Sequence, residues 1–146
     1  MTHSLVRWIV LLFGLYAITK SYRGFKKQQG YTANHKRANM LFVSSIHLQA
    51  LLGIVLYFQK GWHSNIGNAF ADMGNSFLRF WSIEHMFGMI LAVVLIQMGS
   101  SKSKKQATDH AKHKTAFTYF ALGMFVILVT IPWPFREAIG RALWPF

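Results

Sequence analysis

Apolar residues in this chain gather into four long runs, and the charges fall in blocks between them. The runs cover about residues 4–20, 38–58, 77–99 and 115–131. Each approaches the ~20 residues that carry a helix across a hydrocarbon core ~30 Å thick. The first run is short, yet residues 3–20 reach about 25 Å at a helical rise of 1.5 Å per residue. Boundary residues agree with this reading. Arg7 and Trp8 stand one turn into the first run, Trp62 follows the second, and Arg79 and Trp81 open the third. Snorkelling arginines and interfacial tryptophans belong at such places.

Polar segments join the runs. Residues 20–37 carry six basic residues and no acid, and Gly24, Gln28, Gln29 and Gly30 break any apolar period. Residues 61–76 (GWHSNIGNAFADMGNS) read as a loop with at most one amphipathic turn near 69–73. Residues 100–114 form a second basic block with five lysines against Asp109. Pro132 and Pro134 end the fourth run, because proline cannot extend the hydrogen-bond ladder. Residues 132–146 are expected to form an amphipathic tail lying in the interface. The expected fold is all-α: a single membrane domain, 1–146, built as an up-down-up-down four-helix bundle. No positively charged leader and no small-residue cleavage site marks the start, so the first run is expected to be a retained membrane helix.

Composition adds orientation. Only 14% of the residues are charged, yet the net charge is +12. Eleven Lys and Arg fall in the two basic segments, against five in the N-terminal region, the middle loop and the tail. Positive residues favour the cytoplasmic side, so both termini are expected outside, in a multi-pass protein of a bacterial inner membrane. Topology and attraction to anionic lipid account for the basic blocks. Nucleic-acid binding is not expected, because the basic segments do not present interleaved aromatics at a folded binding face. The absence of cysteine excludes disulfides, Cys-ligated zinc or iron–sulfur clusters and a c-type haem attachment. No phosphate loop, nucleophile elbow or HExxH motif occurs.

The chemistry then rests on histidines. His47 and His85 lie inside spans and His3 sits at the outer mouth of the first, whereas His35, His63, His110 and His113 fall in polar segments and read as solvated. An ionisable group inside a membrane marks function by default. Two neutral imidazoles across a helix bundle are a usual means of holding b-type haem, with the iron on His47 and His85. The structural alternative is hydrogen bonding of His47 to Ser44, Ser45, Gln49 or a facing helix. Gly53 and Gly88, one turn from a histidine, leave room for a flat cofactor or simply permit close packing. Depth complicates the pairing. At 1.5 Å per residue, His3 and His85 reach similar heights near the outer face, with His47 about 10 Å deeper, so His3–His85 is a competing pair. Glu84, the one acid within a span, is expected to pair with Arg7 or Arg79, or else to relay protons to a quinol or join His3 and His85 as a metal ligand.

The stretches IHLQALLGIVLYF and SIEHMFGMILAVVL, with THSLVRW at the start and IPWPF near the end, resemble small bacterial inner-membrane proteins labelled cytochrome B. More distantly, the chain is similar to the haem-binding four-helix halves of haem A synthase-like proteins. The resemblance implies b-haem ligation, falling on His47 and His85, and electron transfer with quinol or a respiratory membrane complex as partner. A different class stays open beside it, a cofactor-free accessory or scaffold subunit of a larger membrane complex. A transporter fits less well, since no span is interrupted at mid-depth by Gly or Pro.

Overall fold

In a computed structural model, which describes residues 2–142, five helices follow one another and no strand occurs among the described residues. They are α1 (Thr2–Lys26), α2 (Ala33–Gln59), the short α3 (Ile66–Ala71), α4 (Ser76–Lys104) and α5 (Asp109–Thr130). Four of them are long and apolar enough to cross a membrane. Each of these four turns large apolar side chains outward: Leu12, Leu51, Phe87 and Phe125 are all at least 60% exposed. Water would penalise such a surface, whereas lipid is its proper solvent. The fold is the expected integral-membrane, up-down-up-down bundle. α1 packs on α2 and α5, and α4 packs on the same two, which leaves α1–α4 and α2–α5 as the diagonals.

The core is thin and filled by side chains from four sides, with Val10, Phe42, Ile46, Ile96, Phe120 and Ile127 at its centre. The Phe42 and Phe120 rings meet edge to face, 5.3 Å between centres. Without a hydrophobic drive between helices in lipid, close approach over small residues carries the packing. At Gly123 an added Cβ would stand 2.6 Å from Ile96 Cγ1, so α4 and α5 touch there at backbone range.

The helices outrun the apolar spans that define them. α1 continues to Lys26, α2 starts at Ala33, α4 reaches Lys104 and α5 starts at Asp109. The two basic segments expected as loops are therefore mostly helix, joined by residues 27–32 and 105–108. Lys, Arg, Gln and Ala are good helix formers, and capping residues fix where the helices start. Thr32 and His35 form a reciprocal capping box on α2, Asn75 Oδ1 accepts from Leu78 N at 3.0 Å on α4, and Thr108 Oγ1 accepts from Ala111 N at 3.2 Å on α5. The middle loop holds a 3₁₀ turn, Trp62–Asn65, and α3.

Two departures shape the end of the bundle where α1 and α4 begin, here called the Trp end. α4 widens into a π turn over Phe80–Glu84, closed by the His85 amide donating to Phe80 O. At its far end α5 stops at Thr130. Ile131 is extended (ψ 133°), as the residue before a proline prefers. The following residues turn back over the bundle, with Ile139 buried. Arg136 lies 5.1 Å over the Phe80 ring and Arg141 5.0 Å over Trp81. The amphipathic tail is thus a folded-back turn through residue 142, and its final part, 143–146, lies outside the described residues.

Candidate functional site

A cleft opens at the Trp end between the diagonal helices α1 and α4. Its walls include His3, Arg7, Gln49, Trp81, His85 and Arg141. It encloses about 100 Å³ within an open space of about 590 Å³, mouth included. The imidazoles of His3 and His85 face each other here, ring centres 6.4 Å apart and planes at 73°.

Each ring is held by a neighbour with a local reason to be there. Thr130 is the last residue of α5, so its carbonyl has no partner within that helix. His85 Nδ1–H donates to that carbonyl at 3.2 Å. A carbonyl can only accept, so Nδ1 carries the proton and Nε2 keeps its lone pair in the neutral ring. Gly88, one turn beyond His85, makes the approach possible: a Cβ there would stand 2.6 Å from Thr130 Oγ1. On the other wall, Gln49 Nε2 donates to the His3 carbonyl at 3.0 Å and stands 3.2 Å from His3 Nε2. The remaining ring nitrogen, His3 Nδ1, is buried and has no hydrogen-bond partner among the described residues. Gly53 lies under this ring, its added Cβ 3.2 Å from His3 Cε1. The small residues near the histidines are therefore filled by Thr130 and by His3 itself.

His47 does not face His85. Its Nδ1–H donates to Val43 O at 2.7 Å, one turn back on its own helix, and the side chain lies on the exposed face. The register explains it. Ile46 and Gln49 point inward and are buried, and at ~100° per residue position 47 is carried outward between them. Of the two pairings, His47–His85 and His3–His85, the fold assembles the second. Glu84 takes Arg79 as its partner, Nε to Oε1 at 2.5 Å, with both side chains partly exposed. Arg79 also donates to the Met73 carbonyl. The pair staples the loop to the start of α4 instead of reaching across to α1. Arg7 lines the cleft, 9% exposed, with its guanidinium 5.4 Å from the Trp8 ring centre. Among the described residues no group of three or more His, Cys, Asp or Glu could hold a metal ion, so Glu84 does not join His3 and His85 as a ligand set.

A second imidazole pair sits at the opposite, basic end, on the other diagonal. His35 opens α2 and His113 lies one turn into α5, with ring centres 4.5 Å apart. Sequence position alone placed both in solvated loops, yet His113 is fully buried and His35 is 7% exposed. His113 Nε2–H donates to Gln29 O at 3.0 Å. His35 Nδ1 is the acceptor for the Thr32 amide, 3.2 Å away. Tyr31 stacks beside both rings, and its hydroxyl accepts from Asn39 Nδ2 at 2.7 Å. Burial pushes the Tyr31 phenol above the ordinary tyrosine range, against the pull of its hydrogen bonds with Ser103 and Asn39. The available signal was Gly24. An added Cβ there would stand 2.4 Å from the His113 ring, so this glycine is a seat for an imidazole and not a helix breaker. At 4.5 Å these rings touch, which leaves no space for a group between them.

Compared with known proteins, this chain matches no family model, no curated protein and no solved structure.

Proposed function

We propose that this chain is a b-type cytochrome-like electron-transfer protein of the bacterial inner membrane, in which His3 and His85 would hold haem. The observation that carries the reading is the diagonal imidazole pair at 6.4 Å. A metal bound by two imidazoles, with each nitrogen ~2.0 Å away, sets ring centres about 6 Å apart. The volume fits on one condition. Ligand sites of this kind occupy roughly 300–1,000 Å³, and the cleft encloses about 100 Å³, so the group would have to extend out through the open mouth and the walls would have to part around it.

The chain's own residues have separable tasks. His85 is pre-aimed, because its Nδ1–H bond to Thr130 fixes ring orientation and raises the basicity of Nε2. Gln49 holds His3 in the first turn of α1, a place that would otherwise fray. Arg7 and Arg141, both lining the cleft, suit the carboxylates that haem carries. Met89, Ile127 and Ile131 keep the inner wall apolar, and the low dielectric of such a wall tunes a redox potential. The chemistry such a group would supply, held there, is one-electron transfer. The cleft opens at the Trp end, the outer side if the basic end faces the cytoplasm, where a quinol or a respiratory membrane complex would exchange electrons with it.

The test uses protein purified from cells with ample haem. His3→Ala and His85→Ala are each expected to abolish haem retention, and His47→Ala to leave it intact. Retention in both His3→Ala and His85→Ala, or its loss in His47→Ala alone, contradicts the assignment of ligands.

A further inference from the structure

At the basic end, α2 and α4 part to leave a second cavity of about 120 Å³. Lys36 and Lys104, one from each helix, stand at it, with Asn39, Gln97 and Ser100 among its polar walls and Met40 on its rim. Its chemistry is that of an anion site, since two cations and several neutral donors line it without any acid. The chain has four acids in all, Asp72, Glu84, Asp109 and Glu137. The one at this end, Asp109, is already engaged by the Tyr31 amide at 3.0 Å and by Lys112 at 3.3 Å.

Two further observations narrow the ligand. Asn39 is 4% exposed. Its Nδ2 is spent on Tyr31, and its Oδ1 is buried without a hydrogen-bond partner among the described residues. A buried acceptor left alone is costly, so the ligand should bring a donor beside its negative charge. Met40 is 59% exposed on the apolar outer face of α2, so the cavity opens sideways toward acyl chains and not only toward water. Basic pockets between membrane helices are suited to anionic lipid headgroups.

We infer that this cavity binds a phosphoglycerol headgroup, the phosphate between Lys36 and Lys104 and a glycerol hydroxyl donating to Asn39 Oδ1, with the lipid's acyl chains running along α2. The site is independent of any chemistry at the Trp end. It places a specific lipid in the seam between α2 and α4, where it holds the two helices together.

The probes are phosphatidylglycerol, phosphatidic acid and phosphatidylcholine added to the full-length protein in detergent, with binding read by native mass spectrometry. Phosphatidylglycerol should bind roughly tenfold tighter than phosphatidylcholine, and tighter than phosphatidic acid, which lacks the glycerol hydroxyl. The double variant Lys36→Gln/Lys104→Gln should lose that preference, whereas Lys60→Gln at the Trp end should keep it. Equal binding of phosphatidylglycerol by the wild type and the double variant overturns the proposal. Displacement of the lipid by millimolar glycerol 3-phosphate also overturns it, because the ligand would then be a soluble phosphate ester.

Discussion

Gly24 and Gly88 do the same work at opposite ends of the bundle: each omits a side chain so that a neighbour can occupy its place. At Gly24 the neighbour is the rigid, fully buried ring of His113, 2.4 Å from where a Cβ would go. Gly24→Ala is therefore expected to cost about 1–3 kcal/mol, the usual range for overpacking, seen as a lower midpoint of unfolding in detergent. A substitution that leaves the midpoint unchanged would mean that His113 can leave its seat freely. The Arg79–Glu84 pair lies at the other extreme. Both partners are partly exposed, and such pairs contribute about 0.2–1 kcal/mol. A double-mutant cycle with Arg79→Gln and Glu84→Gln should return a coupling in that range. A coupling of several kcal/mol would instead mark a buried, functional charge. At this scale the sequence was a partial guide. His3 and His85 could be matched by their height above the basic segments, and the fold brings them together. His47 misled because its facing direction depends on where the helix register sits, which a run of apolar residues on every side does not reveal. His35 and His113 were missed for a related reason: polar neighbours in sequence said nothing of helices that extend beyond the lipid.

The π turn of α4 is the element that sets the Trp end. It spans Phe80–Glu84, immediately before His85, and such turns are frequent at functional sites. The Tyr57 hydroxyl of α2 donates to Ser82 O within it at 2.7 Å, tying the turn to the neighbouring helix. Tyr57→Phe should cost about 1 kcal/mol for that bond, measured by unfolding in detergent. It should also shift the visible spectrum of bound haem if the turn aims His85, whereas an unshifted spectrum would separate the turn from the ligand. Nothing in FLRFWSIEH announces a π turn, because one extra residue per turn leaves no trace in an apolar pattern. The stop of α5 was readable, since Pro132 dictates the backbone before it. The helix starts at Ala33, Ser76 and Asp109 rest on Thr32, Asn75 and Thr108, capping residues that are visible in the sequence once a helix is allowed to run past its apolar span.

For the molecule as a whole, four apolar runs specified four membrane helices, and short connections specified their antiparallel order. The orientation we propose rests on eleven Lys and Arg at one end of the bundle against five elsewhere. The chain has no cysteine, so single cysteines report topology cleanly. Cysteine at position 63 should react with a membrane-impermeant maleimide in intact cells, and cysteine at position 107 only after lysis; the reverse pattern would invert the bundle. The two histidine pairs lie on the two diagonals at opposite ends, but only the His3–His85 pair leaves space between its rings. The most direct measurement is the reduced-minus-oxidised visible spectrum of the wild-type protein, purified from haem-sufficient cells. The sharp bands of low-spin, bis-histidine haem are expected, present in His47→Ala and absent in His3→Ala and His85→Ala. A featureless spectrum from folded wild-type protein would contradict haem binding and leave the bundle as a cofactor-free subunit of a larger membrane complex.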